Sequence, residues 1–384
     1  MCSTTASSPK PTTTMVQEPT LPQRSEDLKD VELGPLLSRE NSPAASPTSQ
    51  ASGNSQPGPS PFSFASMNAW RGTSGGKVIS SCAFYSFCSV SMVLTNKSLA
   101  SSYNHLINGD LNILLVVFQA IVAVIAVESC KRLKWVEYPS FSFETAKQWA
   151  PVNIFFCLML FTGMASLQYN SVPMVTIFKN LTNIITCFGD FYFFESTVEK
   201  LVLVAFAIMF TGAVAAAWND IYVTWRGLFW MSLNCLSTSG YVLYMKFATK
   251  NVKLSKFGMV FYNNVLCVCF LLPVAMAMGQ INILATTPAL HTTDYLSKNV
   301  FAGLVGFLLN FASLSCVAAT GPTTYAIVGS VNKIPVAFLG YLIFDSIITS
   351  ETWFFICVSM TGGFLYSYAK IQSSRRKSDS GSKQ

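Results

Sequence analysis

Gly329-Ser330-Val331-Asn332-Lys333-Ile334-Pro335 lies near the middle of a long apolar run, residues 323–344. A lysine in such a run costs about 2.5–3.5 kcal/mol on insertion scales unless it faces a partner or a wet cavity. An amide and an ammonium side by side, with glycine before and proline after, have the makings of a site. If the run crosses a bilayer, Lys333 marks the interior of a helical membrane protein.

The rest of the chain makes that reading the natural one. Of 384 residues, 51% are hydrophobic and 11% charged, and mean hydropathy is +0.43. A soluble domain carries about 25% charged residues, so the composition is that of a membrane protein. Aromatic residues, 13% with 30 Phe, suit lipid-facing and interfacial surfaces. The net charge of +7 is concentrated in loops and tails, where it reports topology before any nucleic-acid partner. Most of the eleven Cys sit in apolar runs, Cys82, Cys88, Cys157, Cys187, Cys267, Cys269 and Cys316 among them, with no CxxC pair. They read as small buried hydrophobes, and neither a disulfide framework nor a metal site is expected. Two His, His105 and His291, leave histidine catalysis little material.

Residues 1–72, rich in Ser, Pro and Thr, bury too little apolar surface to fold alone and are expected to form a disordered cytosolic tail. No apolar core precedes Val78, so the tail does not read as a signal peptide. Within it, Glu32-Leu33-Gly34-Pro35-Leu36-Leu37 matches an acidic dileucine sorting pattern. Ten apolar segments follow, at 78–99, 112–130, 151–169, 172–194, 200–218, 226–247, 257–279, 299–319, 323–344 and 352–369. Each is long enough to cross about 30 Å of hydrocarbon at about 1.5 Å per residue. Tight turns at Asn170-Ser171-Val172-Pro173 and Thr320-Gly321-Pro322 separate two of the pairs.

Charge asymmetry fixes an orientation. With a cytosolic N-terminus, that side receives Arg71, Lys77, Lys131, Arg132, Lys134, Lys147, Lys200, Lys246, Lys250, Lys253, Lys256 and the basic end after Lys370. The other side receives Arg226, Lys298 and Lys97. The positive-inside rule then places both termini in the cytosol.

An internal repeat appears at an offset of about 150 residues. Asn112-Ile113-Leu114-Leu115-Val116-Val117-Phe118 resembles Asn264-Val265-Leu266-Cys267-Val268-Cys269-Phe270. Ala165-Ser166-Leu167 resembles Ala312-Ser313-Leu314, and Pro173 falls with Pro322, Asn183 with Asn332, Lys97 with Lys246. The expected fold is therefore an all-α membrane protein of ten transmembrane helices. Residues 73–222 and 223–371 form two inverted five-helix repeats, and 372–384 a short basic tail. Inverted repeats are a transporter design, with the substrate held between the halves near the midplane.

Interior polar groups point to the same place. The fourth segment carries Phe178-Lys179-Asn180-Leu181-Thr182-Asn183, the seventh opens with Phe261-Tyr262-Asn263-Asn264, and the ninth carries Tyr325 and the opening stretch. Asp190 is eleven residues from Lys179, about 16 Å along a helix and too far to pair directly. Glu128 and Glu195 are alternatives across helices. The asparagines could also be interhelical hydrogen-bond glue, and Tyr85 and Tyr325 core tyrosines. Lys333 has no acidic residue in its own run, and a lysine-rich cavity without a matched carboxylate suits an anion. The missing carboxylate relay disfavours proton coupling and leaves anion exchange. Asn263 and Asn264 offer donors and acceptors suited to a nucleobase edge, and Phe261 and Tyr262 could stack on a base or anchor the interface.

Phe261-Tyr262-Asn263-Asn264 and Gly329-Ser330-Val331-Asn332-Lys333 resemble the FYNN and GALNK motifs of the Golgi GDP-mannose transporter family, a nucleotide-sugar branch of the drug/metabolite transporters. Thr95-Asn96-Lys97 and the run from Phe178 to Asn183 are similar as well. The resemblance covers about residues 75–372. Ser330 and Val331 depart from the pattern's Ala and Leu, while Gly329, Asn332 and Lys333 keep it. The resemblance implies an antiporter of GDP-mannose and GMP in the Golgi membrane, with cytoplasmic vesicle and endoplasmic reticulum membranes as further locations. It implies guanine recognition by Asn263 and Asn264, and recognition of the sugar and diphosphate by Gly329, Asn332 and Lys333. Tyr85, Asn234, Ser313, Ser330 and Tyr325 are added as cavity lining, with Lys179, Asn180 and Asn183 as first-half counterparts. The expected partners are the two nucleotides, the bilayer and a second copy of the chain, with no cofactor and no nucleic acid. The alternatives are another anionic substrate, such as GDP-fucose or a phosphorylated metabolite, and a membrane glycosyltransferase. The latter needs paired acidic metal ligands, and Asp110, Asp220 and Asp294 are scattered.

Overall fold

The computed structural model describes residues 75–101, 110–195, 197–220, 223–320, 322–344 and 348–381. All lie in one contact unit, Leu33–Gln384. The N-terminal tail with its dileucine pattern, His105 and Gly321 lie outside the described residues.

Regular structure among the described residues is helical. The long helices are α1 Gly75–Ser101, α2 Asn112–Arg132, α3 Phe143–Tyr169, α4 Val172–Phe194, α5 Lys200–Asn219, α6 Trp225–Asn251, α7 Lys256–Ala277 and α8 Thr293–Thr320. They are followed by α9 Pro322–Val331, α10 Lys333–Ile343 and α11 Ser350–Gly381. Helix lies on each of the ten expected apolar segments. Seven helices among the described residues are long and apolar enough to cross a membrane, and the protein is a multi-pass membrane protein. The three expected segments outside that set are α4, α6 and the α9–α10 run, those that carry Lys179, Lys246 and Lys333.

The ninth segment is one run in the sequence but two helices in the structure, parted at Asn332. Pro335 has no N–H to give to the carbonyl of Val331, and its ring crowds that turn, so the regular ladder is interrupted there. The break puts Lys333 at the first position of α10. A short helix, Gln280–Thr286, was not expected; its buried Gln280 accepts a hydrogen bond from the main-chain N–H of Leu114 at 2.9 Å, near the start of α2. Cys269 is exposed on α7 and not buried as expected, whereas Cys88, Cys157, Cys267 and Cys316 are buried.

The most extensive packings are α5 on α11, α3 on α6, α1 on α8 and α2 on α7. Glycine permits the closest. A methyl group on Gly212 of α5 would stand 2.7 Å from the main-chain nitrogen of Ser359 on α11, and Gly362 meets Met209 in the same way. Backbone cannot move aside as a flexible side chain can, so Gly212→Ala is expected to cost about 1–3 kcal/mol. Thermal unfolding of the purified chain checks this; a midpoint equal to the parent's would show that the two helices part easily. On α10, Gly340 lets Val172 of α4 approach. That antiparallel contact sets the register that carries Lys333 to Asn180.

Two lysines counted as orientation charges are structural. Lys97 is buried and donates to the carbonyls of Leu167 at 2.7 Å and Asn170 at 2.9 Å, holding the α3–α4 turn. A cation there also complements the negative end of α3. Lys246 is buried in a 3.0 Å ion pair with Asp190 of α4.

Candidate functional site

Lys333 faces the first half of the chain. Its ammonium donates to Oδ1 of Asn180, which is fully buried and lies eight residues into α4. Ser330 on α9 and Met360, Gly363 and Phe364 on α11 complete a narrow crevice with about 180 Å³ of empty space, too tight for a water molecule. Gly363 is needed there, because a methyl group on it would press Asn180 at 3.2 Å. Ser330 and Ser367 share a 2.5 Å hydrogen bond across the same α9–α11 contact.

The charge of this crevice is positive. Lys179, the residue before Asn180, is exposed, and its ammonium acts on both Lys333 and the Cys235 thiol. No ion pair to either lysine is seen among the described residues; Asp190 is taken by Lys246. Two buried amide groups, Nδ2 of Asn180 and Nδ2 of Asn332, have no hydrogen-bond partner among the described residues. The Lys333 ammonium and the spare donor of Asn180 meet in the crevice, and the charge of Lys179 acts on it, an arrangement that stabilises negative charge and can donate to oxygen. Tyr85 and Tyr325 form the crevice's neighbour, their rings 4.8 Å apart. A methyl group on Gly329 would come within 3.4 Å of the Tyr85 hydroxyl, so this glycine keeps the tyrosine pair against α9.

The Phe261–Asn264 stretch forms a second, separate group where α7 meets α3 and α6. Tyr262 is buried, accepts a hydrogen bond from the main-chain N–H of Ser142 at 2.8 Å and stacks on Phe141 at 5.6 Å. Phe261 packs on Tyr138 at 5.1 Å. Burial and the nearby Glu128 carboxylate, 2.8 Å from its hydroxyl, push the Tyr138 phenol well above its ordinary range. These two rings hold the segment before α3. Asn263 accepts from the Trp149 indole at 2.8 Å and donates to the Tyr241 hydroxyl at 3.0 Å. Asn264 is half-buried and donates to the carbonyl of Val260 on its own helix at 2.7 Å.

The remaining candidates are dispersed. Asn234 joins α6 to α3 through Met159 at 2.9 Å and Thr162 at 3.1 Å. Ser313 donates to the carbonyl of Asn310 at 2.8 Å, and Asn183 is half-buried. Trp149, Tyr241 and Asn153 were missed by sequence reasoning. Their types are ordinary for helix interiors, and only the fold brings them to Asn263. A larger groove of about 580 Å³ lies elsewhere, between the ends of α1, α8 and α10, with Thr95, Lys298 and Phe344 in its wall. Lys298 is already paired there with Asp294 at 2.8 Å.

Comparison with known proteins fits this arrangement to a family. Residues 77–367 match the profile of the Triose-phosphate Transporter family. A GDP-mannose transporter of Aspergillus fumigatus is 33% identical over 309 residues, covering 76% of this chain and 80% of the relative. A GDP-mannose transporter of Schizosaccharomyces pombe is 34% identical over 303 residues, covering 76% of this chain and 87% of the relative. GDP-mannose transporter 1 of Neosartorya fischeri is 33% identical over 309 residues, with 76% and 80% covered. The family and these relatives are transporters, not enzymes. A chain so matched through all of its long helices belongs to the Triose-phosphate Transporter family.

Proposed function

We propose that the chain is a nucleotide-sugar antiporter that brings GDP-mannose from the cytosol into the Golgi lumen in exchange for GMP. The observation that carries this reading is the pair Lys179 and Lys333, one from each half, beside Asn180 with no carboxylate paired to either among the described residues. The diphosphate of the substrate supplies the missing negative charge. The unpaired amides of Asn180 and Asn332 then donate to phosphate or sugar oxygens. Asn263 and Asn264 read the guanine edge, which GDP-mannose and GMP share.

The transport cycle is alternating access about the two halves. Exchanging the halves turns the α3–α6 contact into α8–α1 and α3–α7 into α8–α2, and it leaves α2–α7 and α5–α11 unchanged. All of these contacts are made, which supports reading the chain as two related five-helix units. The crevice at Lys333 is far smaller than the pocket of several hundred Å³ that a ligand of this size needs. The halves must therefore part for binding.

Counterflow tests the assignment. Proteoliposomes holding the full chain and preloaded with GMP are expected to accumulate GDP-mannose. External GMP should suppress this accumulation and UMP should not. A phosphorylated metabolite without a base would use the same lysines, and competition by inorganic phosphate equal to that by GMP would favour it. Accumulation of another GDP-sugar in place of GDP-mannose would move the substrate assignment.

A further inference from the structure

The amide of Asn263 is held in one sense. An indole N–H can only donate, so the amide oxygen must face Trp149, 2.8 Å away. The NH2 group then faces Tyr241 and donates to its hydroxyl at 3.0 Å. Asn153 donates to the main-chain carbonyl of Asn263 at 2.8 Å and fixes the backbone beneath. Trp149 and Asn153 are completely buried and Asn263 nearly so. Phe156 packs on the Tyr241 ring at 5.4 Å.

A side-chain amide has two acceptor sites and two donor hydrogens. Trp149 uses one acceptor site and Tyr241 one hydrogen, which leaves one of each. An unrestrained asparagine can turn its amide over and offer this remaining pair in either sense. Guanine presents a carbonyl oxygen beside a ring N–H on its pairing edge. Adenine presents an amino group beside a bare ring nitrogen, the reverse order. An amide free to flip serves both bases, whereas an amide pinned in one sense serves only one of them.

We infer that Trp149 is a positioning residue that sets base specificity, by fixing the sense in which Asn263 meets the base. This rests on the assignment of Asn263 to the base made above. Trp149 need not touch the substrate, since it acts through the amide it holds.

The test is a ratio. Proteoliposomes of the full chain preloaded with GMP are assayed for the concentrations of AMP and of GMP that halve GDP-mannose uptake. In the parent, AMP is expected to be the far weaker competitor. Trp149→Phe removes the donor and keeps a ring, and Tyr241→Phe removes the acceptor and keeps its ring. Trp149→Phe is expected to lower the AMP-to-GMP ratio about tenfold or more, the scale of discrimination carried by one amide–base pair, whereas Tyr241→Phe leaves the indole in place and is expected to keep the ratio, since a hydroxyl meets either sense of the amide. A purely structural role would lower the amount of folded protein or the uptake rate and leave the ratio alone. An unchanged ratio in active Trp149→Phe, or an equal fall in Tyr241→Phe, overturns the inference, and Trp149→His, whose ring can donate or accept, decides in its place if the phenylalanine variant does not fold. Asn263→Ala separates the two levels. If GMP competes with that variant as with the parent, the base assignment itself fails and the pin falls with it. If GMP competition weakens while the Trp149→Phe ratio holds, only the pin fails.

Discussion

Lys333→Met is expected to lower GDP-mannose uptake about 100-fold or more while the protein melts no lower than the parent. The two halves of this expectation have different origins. Losing one member of a buried, hydrogen-bonded charge interaction with a ligand costs about 2–5 kcal/mol, or about 30-fold to several thousandfold. Stability runs the other way. The ammonium has no carboxylate beside it and feels the charge of Lys179, so its burial is a cost to the folded state. Methionine removes that cost and fills most of the same volume. It leaves Asn180 without its donor, a loss of about 1–3 kcal/mol that offsets part of the gain. A site built for substrate at the expense of stability gives this divergence, and a structural lysine does not. Uptake within a few fold of the parent, or a melting point several degrees lower, would remove Lys333 from the role of phosphate anchor.

Lys333 could be found in the sequence because its signal is local. A charge inside an apolar run is anomalous whatever surrounds it, and Pro335 announces the break that frees the turn beside it. The helices were legible for the same reason, since hydropathy and length act within each segment. Partners across helices were not. Asn180 was a counterpart by repeat and composition, but its bond to Lys333 depends on how α10 packs along α4, where Gly340 meets Val172. The Phe261–Asn264 stretch was read as a ligand surface. In the structure Phe261 and Tyr262 also brace the segment before α3, and Asn263 has protein partners 114 and 22 residues away. Separation of that kind leaves no periodic trace. Lys97 and Lys246, at the ends of their apolar segments, were read only as charges that set orientation; long aliphatic stems let both turn inward to partners that only the fold supplies.

Lys246 gives the largest stability effect to be expected in the molecule. Its ammonium sits 3.0 Å from Asp190, the two side chains are 5% and 7% exposed, and the ring of Phe194 lies 4.3 Å from the charge. The pair joins α6 to α4, and α4 carries Lys179 and Asn180. Lys246→Met strands a buried carboxylate, and Asp190→Leu strands a buried ammonium. Each is expected to cost about 3–5 kcal/mol, the range for halving a buried pair. Replacing both partners together by apolar residues of similar size, as Asp190→Leu with Lys246→Met, is expected to recover most of that loss, because the desolvation cost of both charges disappears at once. The coupling in the double-mutant cycle should therefore approach the single-mutant cost, far above the 1 kcal/mol or less of an exposed pair. Thermal unfolding of the purified chain in one detergent measures all four corners. Additive losses in the double variant would mean that the two charges act independently, and the α4–α6 contact would then owe its hold to the small residues along it, where Ser239 meets Thr182 and Gly189 receives Leu243.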